Sequence, residues 1–141
     1  HMEYRKFNDK IIVRIDKGEE IVEQVMKVAA FENLKLASIT AIGAVNEFDI
    51  GSYDVTKKEY KSNHFVGTYE IVSLLGTITQ KEGNPYLHLH LACGNEKGEV
   101  FGGHLTRAII SATCEMVINV IEGKVNRKFD EIGLNLFDFE D

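Results

Sequence analysis

Three histidines, His88, His90 and His104, lie within 17 positions of this sequence. His88 and His90 alternate with Leu87, Leu89 and Leu91, which is the two-residue period of a β-strand, so both imidazoles leave the same face of that strand. Three imidazoles with an open fourth position form a known type of catalytic zinc site, and imidazole also suits nickel, copper or iron. The spacing therefore makes the three histidines candidate metal ligands.

The residues between His90 and His104 indicate how His104 could lie beside His88 and His90. Glu96–Gly98 fits a three-residue hairpin loop with glycine at the left-handed position. In that register Asn95 pairs with Glu99 and, further along, His90 pairs with His104. Opposed residues have Cβ atoms about 5 Å apart, so the three rings can converge on one ion. A slip of one residue would turn His104 to the other face of the sheet.

The same residues allow other interpretations. A His-x-His pair is also typical of a polar exposed face, and Gly102–Gly103 is typical of a bulge or tight packing as well as of space for a ligand. Glu70 is a candidate for acid–base chemistry or for orienting an imidazole, or else an edge charge or a partner of Arg107. Arg107 is a candidate for binding an anion beside the metal, or for neutralising a carboxylate. His64 is expected on the surface.

These residues must be positioned by a sheet. The run from Asp16 to Asn33 has the apolar stripe of an amphipathic helix, with Asp16 and Glu19 resembling a capping pair. Short connections with turn residues indicate antiparallel hairpins. The predicted architecture is α+β, a strongly curved antiparallel sheet with one long amphipathic helix. The predicted strands are Tyr4–Asp9, Ile11–Ile15, Leu36–Val45, Glu47–Val55, Glu59–Phe65, Gly67–Gln80, Tyr86–Gly94, Glu99–Leu105 and Ala108–Glu122.

Composition narrows the class of protein. The length of 141 residues fits one domain over positions 2–141, with His1 interpreted as a tag remnant. No apolar run approaches the roughly 18 residues of a membrane span, so a cytoplasmic protein is expected. The formal charge of −6 disfavours DNA binding by the isolated domain. Cys93 and Cys114 form no CxxC pair and are expected to be buried reduced thiols.

Four segments together resemble the plants-and-prokaryotes conserved domain. They are IGAV at Ile42–Val45, YEIVSLLGTI at Tyr69–Ile78, LHLHLACGNEKGEVFGGHL at Leu87–Leu105 and TCEMVI at Thr113–Ile118. The resemblance implies a trimer built on a curved antiparallel sheet and a helix, with His88, His90 and His104 as metal ligands. It also implies a fold similar to that of acetolactate decarboxylase, a zinc lyase with three histidines.

Two functional hypotheses follow. The first is a trimeric domain that binds zinc or another divalent transition metal. Such a domain would bind a small anionic molecule or act as a lyase or hydrolase. Glu70 would then move protons and Arg107 would orient the anion. The second is a DNA-binding or transcription-associated interaction domain in which any metal is structural, because single-domain relatives are often described as DNA-binding. The apolar tail (Leu134, Leu136, Phe137, Phe139) would need cover, for which a neighbouring subunit is a candidate.

Overall fold

The computed structural model of the protein describes residues 1–140, which contain one helix and eight strands. The helix, α1, spans Ile21–Phe31. The strands in chain order are β1 (Glu3–Phe7), β2 (Lys10–Asp16), β3 (Ala37–Asp54), β4 (Glu59–Lys81), β5 (Asn84–Gly94), β6 (Val100–Val120), β7 (Asn126–Phe129) and β8 (Asn135–Asp138).

Four long strands pair in a closed cycle. β4 lies between β3 and β5, and β6 completes the cycle by pairing with both β5 and β3, always antiparallel. β2 pairs with a further stretch of β6, and β1 pairs with β2. β7 and β8 form an antiparallel hairpin. It attaches near the end of β4 through a parallel bridge between Gln80 and Asn126. The predicted α+β architecture with a curved antiparallel sheet is confirmed.

β-Bulges explain why the strands are longer than the sequence predicts. The segments Leu36–Val45 and Glu47–Val55, predicted as two strands, form the single strand β3, which carries register shifts on both sides of Val45. β4 and β6 likewise each replace two predicted strands. A bulge bends a strand and increases its twist without ending it, so the sheet curves within each strand rather than between strands.

The helix begins later than predicted. The pairing of Asp16 and Glu19 exists, since Glu19 accepts a hydrogen bond from the Asp16 backbone, but Glu20 is the N-cap and accepts from the backbone N–H groups of Val22 and Glu23. Gly18 has a positive φ of 89° and bonds to β6 through the carbonyl of Ile110. The residues before Ile21 are therefore held against the sheet and cannot join the helix.

The helix covers the core side of the sheet, where it packs against β5 and β6. Ile21, Val25 and Val28 are fully buried, and each such side chain contributes about 1.5–3 kcal/mol to folding. Cys93 and Cys114 are also buried on this side as free thiols, as expected. At 11 residues, α1 is too short to cross a membrane.

Candidate metal centre

The hairpin between β5 and β6 has the predicted register. The backbone N–H of Asn95 donates to the carbonyl of Glu99 at 2.9 Å, and Gly98 occupies the left-handed region with φ +82°. His90 consequently lies directly opposite His104. A left-handed glycine is what closes a three-residue loop in this register, so the local sequence determines which residues of the two strands meet.

The histidines occupy the side of the sheet away from the core. Leu89 and Leu91 point inward and are buried, whereas His88 and His90 are exposed and His104 is half-buried. The ring centroids are 5.1 Å apart for His88 and His90, 5.4 Å for His88 and His104, and 6.0 Å for His90 and His104. One nitrogen from each ring lies within 4.8 Å of the others. The three imidazoles therefore form one cluster.

Of the two glycines before His104, Gly103 serves close backbone packing. A Cβ added at Gly103 would lie 2.6 Å from the carbonyl oxygen of Gly51 on β3, which is far inside van der Waals contact. At Gly102 the nearest atom would be 3.3 Å away, the carbonyl oxygen of Leu91. Of the sequence interpretations, tight packing is thus the one that the structure supports at Gly103.

Tyr60 also reaches the cluster, which the sequence did not indicate. Its side chain crosses over Gly51, where any side chain would clash with the Tyr60 ring. The Tyr60 ring lies edge-on to His104 with centroids 5.7 Å apart, and its hydroxyl donates to the His104 carbonyl at 3.3 Å. The residue lies 44 positions before His104, so only the pairing of β4 with β3 and of β3 with β6 brings the two together.

The surroundings favour neutral imidazoles. Partial burial lowers the pKa of His88, and the positive charges of His104, His90 and Arg127 lower it further. Partial burial and the charge of His90 lower the pKa of His104 in the same way. A metal ligand must present an unprotonated nitrogen, so these shifts favour the form that binds metal.

The cluster fits a zinc ion of ordinary geometry. Zinc–nitrogen bonds of about 2.0–2.1 Å in a tetrahedral arrangement require the nitrogens to be about 3.3 Å apart. The nitrogens, now within 4.8 Å of one another, would reach that spacing through side-chain rotations, for which the exposed His88 and His90 rings have room. Cys93 lies on the buried leucine face, as predicted, and is no ligand.

The other predicted site residues lie apart from the cluster. Glu70 is exposed and pairs with Gly94, four residues beyond His90 along β5, and among residues 1–140 it makes no hydrogen bond to the three imidazoles. Arg107 donates to Glu47 at 2.9 Å, which is the neutralising role that the sequence left open. Their catalytic and anion-binding roles stay predictions. His64 is on the surface as expected, with its Nδ1 2.6 Å from Asp49.

A family model matches most of the chain. Residues 2–122, which include all three histidines, match the model of the Plants and Prokaryotes Conserved (PCC) domain. The chain is a member of this family. The matched region ends at residue 122, before the β7–β8 hairpin.

Solved PCC-like structures share the whole fold. A protein of Bacteroides thetaiotaomicron, described as a candidate DNA-binding protein, is 30% identical, covers 99% of both chains and has a TM-score of 0.96. A plant- and prokaryote-conserved protein of Pyrococcus horikoshii is 30% identical over 100% of this chain and 96% of its own, with a TM-score of 0.85. A metal-containing protein of Archaeoglobus fulgidus is 36% identical over 97% and 96%, with a TM-score of 0.84. A search of curated proteins found no match.

Proposed function

We propose that this PCC domain binds a divalent transition metal, with zinc as the first choice, through His88, His90 and His104. The observation that carries the proposal is the convergence of three ring nitrogens within 4.8 Å on one face of a hairpin. The metal-containing relative from Archaeoglobus fulgidus supports it. Imidazole ligands suit zinc, and the lowered pKa values of His88 and His104 favour their neutral, metal-binding form.

The geometry suits a metal that acts on a small molecule. Three protein ligands leave a fourth position open, and a zinc ion held in this way polarises a carbonyl or activates water. The cluster lies on an exposed face beside Tyr60, so a small molecule can reach it. We therefore propose small-molecule binding at this site, with lyase or hydrolase activity as the reaction class to be tested.

Metal analysis of variants tests the proposal. The purified protein should hold one zinc per chain after dialysis against zinc, and His104→Ala should lose it. His64→Ala is the matched control, because His64 lies outside the cluster and should keep full stoichiometry. Unchanged metal content in His104→Ala would overturn the metal site.

We also propose that the chain assembles as a homotrimer. Ile42, Val72 and Leu75 on the outer face of the sheet are 61%, 55% and 54% exposed, and they line a shallow groove together with Val117. Phe139 in the tail is 80% exposed. Contiguous apolar surface of this kind favours association. Light scattering coupled to gel filtration should give three times the 15.9 kDa chain mass, and a monomer would contradict the trimer.

DNA binding is the second candidate, since the Bacteroides thetaiotaomicron relative is described in that way. The charge of this chain opposes it. Phosphate-backbone binding needs clustered Lys and Arg, whereas the formal charge is −6 and Glu59 interrupts the exposed group formed by Lys57, Lys58 and Lys61 at the start of β4. We expect little binding to duplex DNA at 150 mM salt, roughly physiological ionic strength. Tight binding that weakens steeply with added salt would favour this candidate.

A further inference from the structure

Arg127, on the C-terminal hairpin, packs its guanidinium against two aromatic rings. Its guanidinium carbon lies 4.9 Å from the centre of the Tyr86 ring and 4.5 Å from the centre of the Phe137 ring. Its Nε donates to Thr79 at 2.9 Å and its Nη1 donates to the Asn135 carbonyl at 3.0 Å. Because Nε and Nη1 already donate to these partners, Nη2 is the group left to bind a further one.

That remaining nitrogen has no partner. Nη2 is shielded from solvent and makes no hydrogen bond to any of the described residues 1–140. No carboxylate in that range lies within ion-pair distance of Arg127, in contrast to Arg107, which pairs with Glu47, and Arg14, which pairs with Asp16. A charged donor without an acceptor is costly in a protein interior, which points to an anion that completes the arrangement.

The guanidinium lies next to the histidine cluster. Tyr86 precedes His88 by two residues on the same face of β5, and Thr79 pairs with Tyr86 just as Thr77 pairs with His88. Arg127 therefore contacts the residue pair adjacent to that of His88, about 7 Å along the strand. This distance can be spanned by a small molecule that has one oxygen on the metal and an acidic group on the guanidinium.

We infer that Arg127 is the anion-binding residue of the three-histidine site, and that the ligand is a small molecule with a carboxylate or phosphate group. The free Nη2 group carries two N–H donors on a positively charged guanidinium, which suits an oxygen of either group. Phe137 is the half-exposed ring of the stack, so it is the one that can swing aside to admit the anion. The inference rests on the proposed metal site and assigns to Arg127 the role that the sequence suggested for Arg107.

Calorimetric titration of the zinc-loaded protein tests the inference. The probes are glycolate for the carboxylate class and inorganic phosphate for the phosphate class, and the probe that binds more tightly identifies the class. Arg127→Met should weaken that binding about tenfold or more, the size expected for a charge-assisted hydrogen bond. Arg127→Lys keeps the positive charge but lacks the planar guanidinium. Its affinity for the probe should lie between that of the wild type and that of Arg127→Met. Lys128→Met, which removes an exposed positive charge from the same strand, is the matched control.

Each outcome has a defined meaning. Wild-type protein that takes up no zinc overturns the proposed function and this inference together. Zinc-loaded protein that binds neither probe at millimolar concentration, or whose affinity is unchanged in both Arg127 variants, overturns only the role of Arg127. A loss in Arg107→Met without a loss in Arg127→Met would return the role to Arg107. Zinc stoichiometry and the thermal midpoint, measured on each variant, separate loss of the anion site from unfolding. If Arg127→Met does not fold, the affinity of Arg127→Lys decides the test.

Discussion

His90 on β5 lies directly opposite His104 on β6, and the centroids of their rings are 6.0 Å apart. This pairing follows from one tight loop, in which Asn95 and Glu99 form the last pair before the turn. His88, two residues from His90 on the same face, completes the cluster. The proposed metal chemistry depends on that register, because a shift of one residue would separate the rings.

Gly103 should be required for the cluster, and Gly102 should not. Gly103→Ala places a methyl group against the Gly51 backbone, so we predict a loss of about 1–3 kcal/mol in the free energy of unfolding and weaker zinc binding, because His104 must shift with its strand. Gly102→Ala is the comparison variant, and its loss should be smaller, because its added Cβ would lie 3.3 Å from the Leu91 carbonyl oxygen, a tight contact that a shift of a few tenths of an ångström relieves. Urea unfolding and zinc titration measure both effects. Equal behaviour of the two variants would refute the packing explanation.

The metal-free protein should lose stability as the pH falls below about 6.5. The pKa values of His88 and His104 in the folded chain lie below the ordinary value of 6.5. Between the folded and unfolded pKa values the unfolded chain binds more protons, so the free energy of unfolding decreases as the pH falls through that window. Urea midpoints of chelator-treated protein between pH 5.5 and 7.5 would show the slope.

A double variant, His88→Asn with His104→Asn, provides the reference for this pH profile. It removes both imidazoles and should give a flatter curve over the same range. A wild-type profile as flat as that of the double variant would show that the two imidazoles have ordinary pKa values in the folded chain.

The two thiols should be inert in the folded protein. Burial raises the pKa of Cys93 to about 12, and burial together with the charge of Glu115 raises the pKa of Cys114 to about 12. The thiolate is the reactive form, so almost none is present at pH 8. An aromatic disulfide reagent should modify neither thiol in buffer and both in guanidinium chloride. Fast modification of the native protein would mean that the core opens near one of them.

The sequence was informative where the relevant geometry is local. The alternation of leucine and histidine in β5 predicted which residues face outward, and Gly98 predicted the loop that places His104 opposite His90. The predicted start of the helix is wrong because the backbone N–H of Gly18 donates to the carbonyl of Ile110 on β6, a contact between distant parts of the chain. The continuous long strands were missed because bulges interrupt the alternation that normally identifies a strand.

The residues around the cluster could not be predicted in the same way. Tyr60 contacts His104 from 44 positions away, and Arg127 packs on Tyr86 from 23 positions beyond His104, through strand pairings that leave no periodic signal near either residue. Arg107, which is near His104 in sequence, is bound to Glu47 instead. The sheet order, and not proximity along the chain, brings Tyr60 to His104.

Crystallography with anomalous scattering at the zinc absorption edge tests the central claim most directly. Crystals of the zinc-loaded protein should show one strong peak per chain, with a nitrogen of His88, of His90 and of His104 each about 2.0–2.1 Å from it. A zinc-loaded crystal with no peak at the cluster, or with a peak contacted by only one of the three rings, would contradict the metal site.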